Sequence, residues 1–174
     1  MTGKRREDVA EDKKRRIKKI FLQYFLIAVL VFVDRIIKMI VENRLRPIEQ
    51  ITILDGVLGL RYKQNTGAAF SLFAEHTNLL SIFTGVVIIA GLVYLILEKN
   101  SPLIMKITIP CILAGGTGNL IDRIIQGYVT DYIEFLFIDF AVFNFADMLV
   151  TCGCFVLIIY LIYSLIKEKK DGNS

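Results

Sequence analysis

The chain has 174 residues, is 55% hydrophobic and has a mean hydropathy of +0.57, too apolar for a soluble domain of this size, so lipid must solvate part of it. The net charge of +4 is modest but unevenly spread, so its placement says more than its size. Cys111, Cys152 and Cys154 all fall in apolar runs, and their odd number and spacing suit neither a disulfide framework nor a zinc site. No metal and no cofactor is expected.

Residues 1–19 form a basic arm running from Lys4 to Lys19, interspersed with Glu7, Asp8, Glu11 and Asp12. Because it leads directly into an apolar run, it reads as a cytoplasmic anchor for anionic headgroups of membrane lipids, with no nucleic-acid partner. A spanning helix needs roughly 20 apolar residues, and four stretches qualify: 20–42, 79–97, 103–121 and 141–166. The first is too long for a secretory signal and has no small-residue cleavage site after it. Asp34 and Lys38 sit four apart on it, acid before base, the spacing that brings opposite charges together on one helical face. A charge at that depth costs a few kcal/mol unless paired or functional, so the two form a structural ion pair or help to place a substrate.

The outer segment 43–78 carries two β-prone runs, Ile51 to Leu54 and Leu58 to Tyr62, around Asp55-Gly56, which predicts a hairpin. Asn65-Thr66-Gly67-Ala68-Ala69-Phe70-Ser71 follows, and by itself reads as a turn and helix N-cap. His76, the only histidine, reads as an interfacial polar residue rather than a base. In the third span Gly115, Asn119 and Asp122 recur at i, i+4 and i+7, so they share one inward stripe, and Arg123 follows at its end. Gly116 and Gly118 beside them allow a second backbone to approach. The second outer segment, 122–142, is amphiphilic and aromatic and is predicted to lie at headgroup level as a short amphipathic helix. In the last span Asn144, Asp147, Thr151 and Cys154 form another stripe.

Fourteen of the 21 basic residues lie in the arm, the 98–106 loop and the tail, which predicts that both termini are cytoplasmic. The fold class expected is therefore an all-α integral membrane protein, with four transmembrane helices, a small β-sheet or cradle and the amphipathic helix on the outer face. Residues 20–167 form its single domain and 168–174 a cytoplasmic tail. If the third and fourth spans are neighbours, Asp131 and Asp147 can meet at the outer mouth. Two carboxylates in close contact share one proton, a state able to activate water and polarise a peptide carbonyl. Spacing alone leaves Asp122 and Asp139 as competing partners. An ion-coupled carrier and a non-catalytic lipid-binding scaffold are the rival classes. Carriers place their sites near the midplane on repeated, interrupted helices, whereas here the acids gather at one end and no repeat is visible.

Five segments, Asp34 to Lys38, Asn65 to Ser71, Gly115 to Arg123, Gly127 to Tyr132 and Phe143 to Asp147, occur in one order that resembles the lipoprotein signal peptidases, the type II signal peptidases of bacteria. That resemblance implies that Asp131 and Asp147 are the catalytic pair of an aspartyl endopeptidase. It also implies that Asn65, Gly67, Asn119, Asp122, Arg123, Asn144 and Ala146 bind substrate or support the site, with Asp34 and Lys38 behind them. The implied substrate is a diacylglyceryl-modified prolipoprotein, cut just before its lipobox cysteine at the outer face of the bacterial cell membrane. Globomycin-like peptides are the implied inhibitors and a monomer the expected state. The basic arm is longer than is usual in that family.

Overall fold

The computed structural model describes residues 3–67 and 77–171. Ala68 to Ser71, the latter part of one quoted motif, and His76 lie outside the described residues. Four helices, α1 (Gly3–Arg44), α2 (Thr77–Leu97), α3 (Leu103–Gln126) and α4 (Phe145–Asp171), are each long and apolar enough to cross a membrane. They are joined to a three-stranded antiparallel sheet of order β1 (Gln50–Leu54), β2 (Leu58–Asn65) and β3 (Val129–Phe135).

The helix bounds show where local sequence governs. α2 and α3 start within two residues of the predicted spans. α1, by contrast, begins at Gly3, so the basic arm is a continuation of the first span. Its Lys, Arg and Glu residues are good helix formers, neither Gly nor Pro interrupts residues 4–44, and Glu11 pairs with Arg15 one turn on at 2.6 Å. α4 likewise runs on through its basic tail to Asp171. α3 ends at Gly127, whose φ of +81° is a left-handed conformation suited to glycine, with its N–H donating to the Arg123 carbonyl at 3.1 Å.

α3 is the central helix and packs on α1, α2 and α4. Gly115, Asn119 and Asp122 are all buried, as their spacing predicts. The close approach occurs at Gly115 and not at Gly116: a Cβ at Gly115 would collide with the Ala146 carbonyl oxygen of α4, whereas at Gly116 it would meet the Ile88 and Thr84 side chains at ordinary contact distance. At Gly118 a Cβ would lie 2.5 Å from Asp34 Oδ2 of α1. Small residues thus let the α4 backbone and the Asp34 carboxylate of α1 both reach α3 at one polar centre, the usual role of small residues in close helix packing in membranes. Thr151, placed on the inward stripe of α4 by spacing, is exposed instead.

The hairpin forms at Asp55-Gly56-Val57, with Gly56 at a φ of +68° and Leu54 paired to Leu58. The predicted amphipathic helix over 122–142 does not form. Those residues are the last turn of α3, strand β3 and an irregular stretch that leads into α4. Val129, Thr130, Tyr132 and Ile133 are β-branched or aromatic residues that favour a pleated surface, and β2 offers them a free edge. Pairing of Asn65 with Val129 and of Lys63 with Asp131 sets the register.

Candidate active site

Asp131 and Asp147 come from different elements, and backbone pairing brings those elements together. Ile133 bridges Phe143, with N–H to carbonyl bonds of 2.7 and 3.0 Å, so the residues before α4 lie alongside β3. Tyr132 packs on Val41 and Leu45 of α1, and its hydroxyl oxygen accepts the Phe145 N–H at 3.2 Å, which fixes the first turn of α4 to the strand. Thr130 donates its hydroxyl to Glu42 of α1 at 2.8 Å.

Asn144 then occupies the N-cap of α4 and Asp147 the third helical position. The Asp147 N–H donates to Asn144 Oδ1 at 2.9 Å and the Asn144 N–H donates to Asp147 Oδ2 at 3.1 Å. This reciprocal capping box satisfies two donors at the helix start and also sets the direction of the Asp147 carboxylate. The remaining Asn144 amide donates to Asp131 Oδ1 at 2.6 Å and approaches Asn119 Oδ1 at 3.2 Å. One buried asparagine therefore touches both acids. Asn119 Nδ2 donates to Asp147 Oδ1 at 2.8 Å. Asn65, the diagonal cross-strand neighbour of Asp131, donates to Asp131 Oδ2 at 2.9 Å, and its own Oδ1 accepts the Gly67 N–H at 3.0 Å. Gly67 is held in turn by Arg123, which donates to its carbonyl at 3.1 Å. Ala146 is fully buried against α3.

The competing acids separate on geometry. Asp122 is fully buried and neutralised by Lys38, at 2.7 Å, and by Arg35; Asp139 is exposed. Lys38, itself fully buried, lies 2.9 Å from Asp34 Oδ2 and donates to Asn119 Oδ1 at 2.9 Å. Its three N–H donors thus face Asp34, Asp122 and Asn119. The last contact fixes the Asn119 amide so that its NH₂ faces Asp147. The sequence reading missed Arg35 as the second partner of Asp122, although a cation at spanning depth beside Asp34 was the available signal.

The two acids open on a cavity of about 380 Å³ lined also by Asn65, Asn119 and Arg123. Its apolar wall includes Phe135, Phe140 and Phe143, with ring centroids of Phe135 and Phe143 5.1 Å apart. Phe135 and Phe140 were legible only as headgroup-level residues, because the turn of chain between β3 and α4 decides which aromatics face the cavity. Among the described residues no cluster of His, Cys, Asp and Glu could hold a metal ion.

Burial, and then the charge of Asp147, push the Asp131 carboxyl up to about 6. A carboxyl raised in the folded state contributes stability below its ordinary value near 4, and loses it as pH rises through 6. Asp131→Asn should therefore gain stability relative to the parent between pH 4 and pH 7, by up to about 3 kcal/mol. Detergent-solubilised protein unfolded at the two pH values measures this, and a pH-independent difference would show that Asp131 titrates as an ordinary carboxylate.

The sequence model of a family described as signal peptidase (SPase) II matches residues 26–163. A lipoprotein signal peptidase of Clostridium tetani is 36% identical over 154 residues, spanning 87% of this chain and 95% of the relative. Another, of Streptococcus pneumoniae, is 33% identical and covers 90% of this chain and 100% of its own length. A solved structure described as a bacterial membrane enzyme superposes with a TM-score of 0.76 at 27% identity, over 83% of this chain and 89% of the other.

Proposed function

Since the chain belongs to the signal peptidase II family, and is thus a multi-pass bacterial membrane peptidase, we propose that it removes the signal peptide from diacylglyceryl-modified prolipoproteins with Asp131 and Asp147 as its acid–base pair. It cuts just before the lipid-bearing lipobox cysteine. The observation that carries this reading is the pair itself: two carboxylates from β3 and α4, tied to one buried asparagine, at the wall of a mostly apolar cavity.

One shared proton is the working state. The ionised carboxylate takes a proton from water as it attacks the scissile carbonyl, and the protonated partner donates to the carbonyl oxygen. The gem-diol then collapses, its proton passes through the pair to the departing amine, and the dyad is restored. Asn119, Asn144 and Asn65 hold the carboxylates through amide N–H groups and so orient them without adding charge. Arg123 Nε is buried and has no partner among the described residues, and it supplies a donor for a substrate carbonyl. The phenylalanine wall takes the apolar signal-peptide side chains, while the diacylglyceryl tails extend into lipid between the helices.

Residues 20–167 make up the peptidase domain, and the basic arm and tail sit in the cytoplasm, with the dyad near the outer face. The enzyme works as a monomer and is blocked by globomycin-like peptides. Purified protein in detergent, given a diacylglyceryl-modified prolipoprotein and its unmodified twin, should cleave the first and leave the second intact. Equal cleavage of both would refute the lipid requirement, and cleavage of neither would remove the assignment of substrate.

A further inference from the structure

At the end of the bundle opposite the two acids, α1 and the start of α3 enclose a second cavity of about 750 Å³. From Lys19 to Asp34 is 15 residues along α1, roughly 22 Å of helix, so the two cavities are separate. The wall is of two kinds. Leu22, Leu26, Leu103 and Ile107 form an apolar slot continuous with the lipid-facing surface, while the mouth carries Arg15, Arg16, Lys18, Lys19, Lys99 and Lys106 against one acid, Asp12, and is basic on balance. Lys19 is committed to Glu98 at 2.6 Å, a pair that ties α1 to the α2–α3 connection. Among the described residues Lys18, Lys99 and Lys106 line the cavity with no acidic partner.

Two buried polar atoms in this lining lack a partner among the described residues. Arg16 gives one N–H to the Ile96 carbonyl at the end of α2, at 2.8 Å, but its Nε is unsatisfied. Gln23 is 4% exposed, and its Oε1 is unsatisfied. Buried polar groups left unpaired forfeit the hydrogen bonds that water would give them, so a ligand that supplies an acceptor to Arg16 and a donor to Gln23 fits the site. A donor carried by an ammonium is disfavoured beside these cations, whereas a hydroxyl is not.

We propose that this cavity binds one anionic phospholipid with a hydroxyl-bearing headgroup, its phosphodiester at Arg16, Lys99 and Lys106, its hydroxyl at Gln23 and its acyl chains along the leucine slot. Basic pockets between spanning helices are suited to such headgroups. The apolar slot, which a free phosphate ester would leave empty, favours the lipid. The site goes beyond the peptidase reading and is tested by binding, without any cleavage.

The full-length protein in a neutral maltoside detergent is titrated with dioctanoyl phosphatidylglycerol, phosphatidylmethanol, phosphatidylcholine and soluble glycerol 3-phosphate. Thermal unfolding and native mass spectrometry read the binding. Phosphatidylglycerol should give a saturable rise in Tm and a retained adduct, with phosphatidylmethanol weaker and the other two without effect. Lys99→Gln with Lys106→Gln should weaken binding about fivefold per charge removed, whereas Lys99→Arg with Lys106→Arg should retain it. Gln23→Leu should abolish the preference for phosphatidylglycerol over phosphatidylmethanol. An equal response to phosphatidylcholine or glycerol 3-phosphate, or binding unchanged by the glutamine pair, overturns the proposal.

Discussion

Exchanging Asp131 or Asp147 for Asn is expected to lower turnover of a diacylglyceryl-modified prolipoprotein by at least about a thousandfold while the protein stays folded, because in the proposed mechanism each exchange removes one of the two groups that move protons. Asn has almost the shape of Asp, so the capping box at the start of α4 and the amide contacts to Asp131 lose at most one bond apiece. The double exchange should be scarcely worse than either single one, because groups that act as a unit do not contribute additively. Cleavage rates in detergent, with unfolding curves as the control for folding, decide the matter. More than a tenth of parental turnover in either single variant, or losses that multiply in the double, would transfer the chemistry to other residues.

Lys38→Met should be the most destabilising single exchange on α1, by about 3–5 kcal/mol, the cost of leaving a buried carboxylate uncompensated. Asp34 would have no cation within reach among the described residues, whereas Asp122 keeps Arg35. Adding Asp34→Asn to Lys38→Met should recover much of the loss, a non-additivity diagnostic of direct contact. The recovered double variant should still cleave slowly, since Asn119 loses the ammonium that orients its amide toward Asp147. A misplacement of about an ångström in a positioning group can cost about a hundredfold. Unfolding in detergent and kcat on the modified substrate separate the two effects, and simple addition of the single-variant losses would rule out the buried pair as the cause.

Much of the fold was legible because membrane helices declare themselves by length and apolarity. The starts of α2 and α3, and the Asp55-Gly56 hairpin, follow from local composition. The Asp34–Lys38 contact follows from helical geometry alone. Strand β3 was not legible: its aromatic residues suit a headgroup-level helix as well as a strand, and the free edge of β2 is what selects the strand. The helical state of the basic arm was also open to reading, since no breaker lies between Lys4 and Arg44.

The acids divide along the same line. Their types, their crowding toward one end of the spans and the order of the five motifs are properties of the chain, written into it before any contact forms. Which of them face one another is not. Asp122 is claimed by Lys38 and Arg35, and Asp139 lies in the open, while Asp131 reaches Asp147 through Asn144 only because β3 pairs with β2 and Phe143 folds back on Ile133. The pairing of Asp122 with Lys38 and of β3 with β2 joins residues more than sixty positions apart, and the turn that returns Phe143 to Ile133 is set by that sheet. Local spacing carries no information about them, and the packing of α1, α3 and α4 around Gly115 and Gly118 decides them.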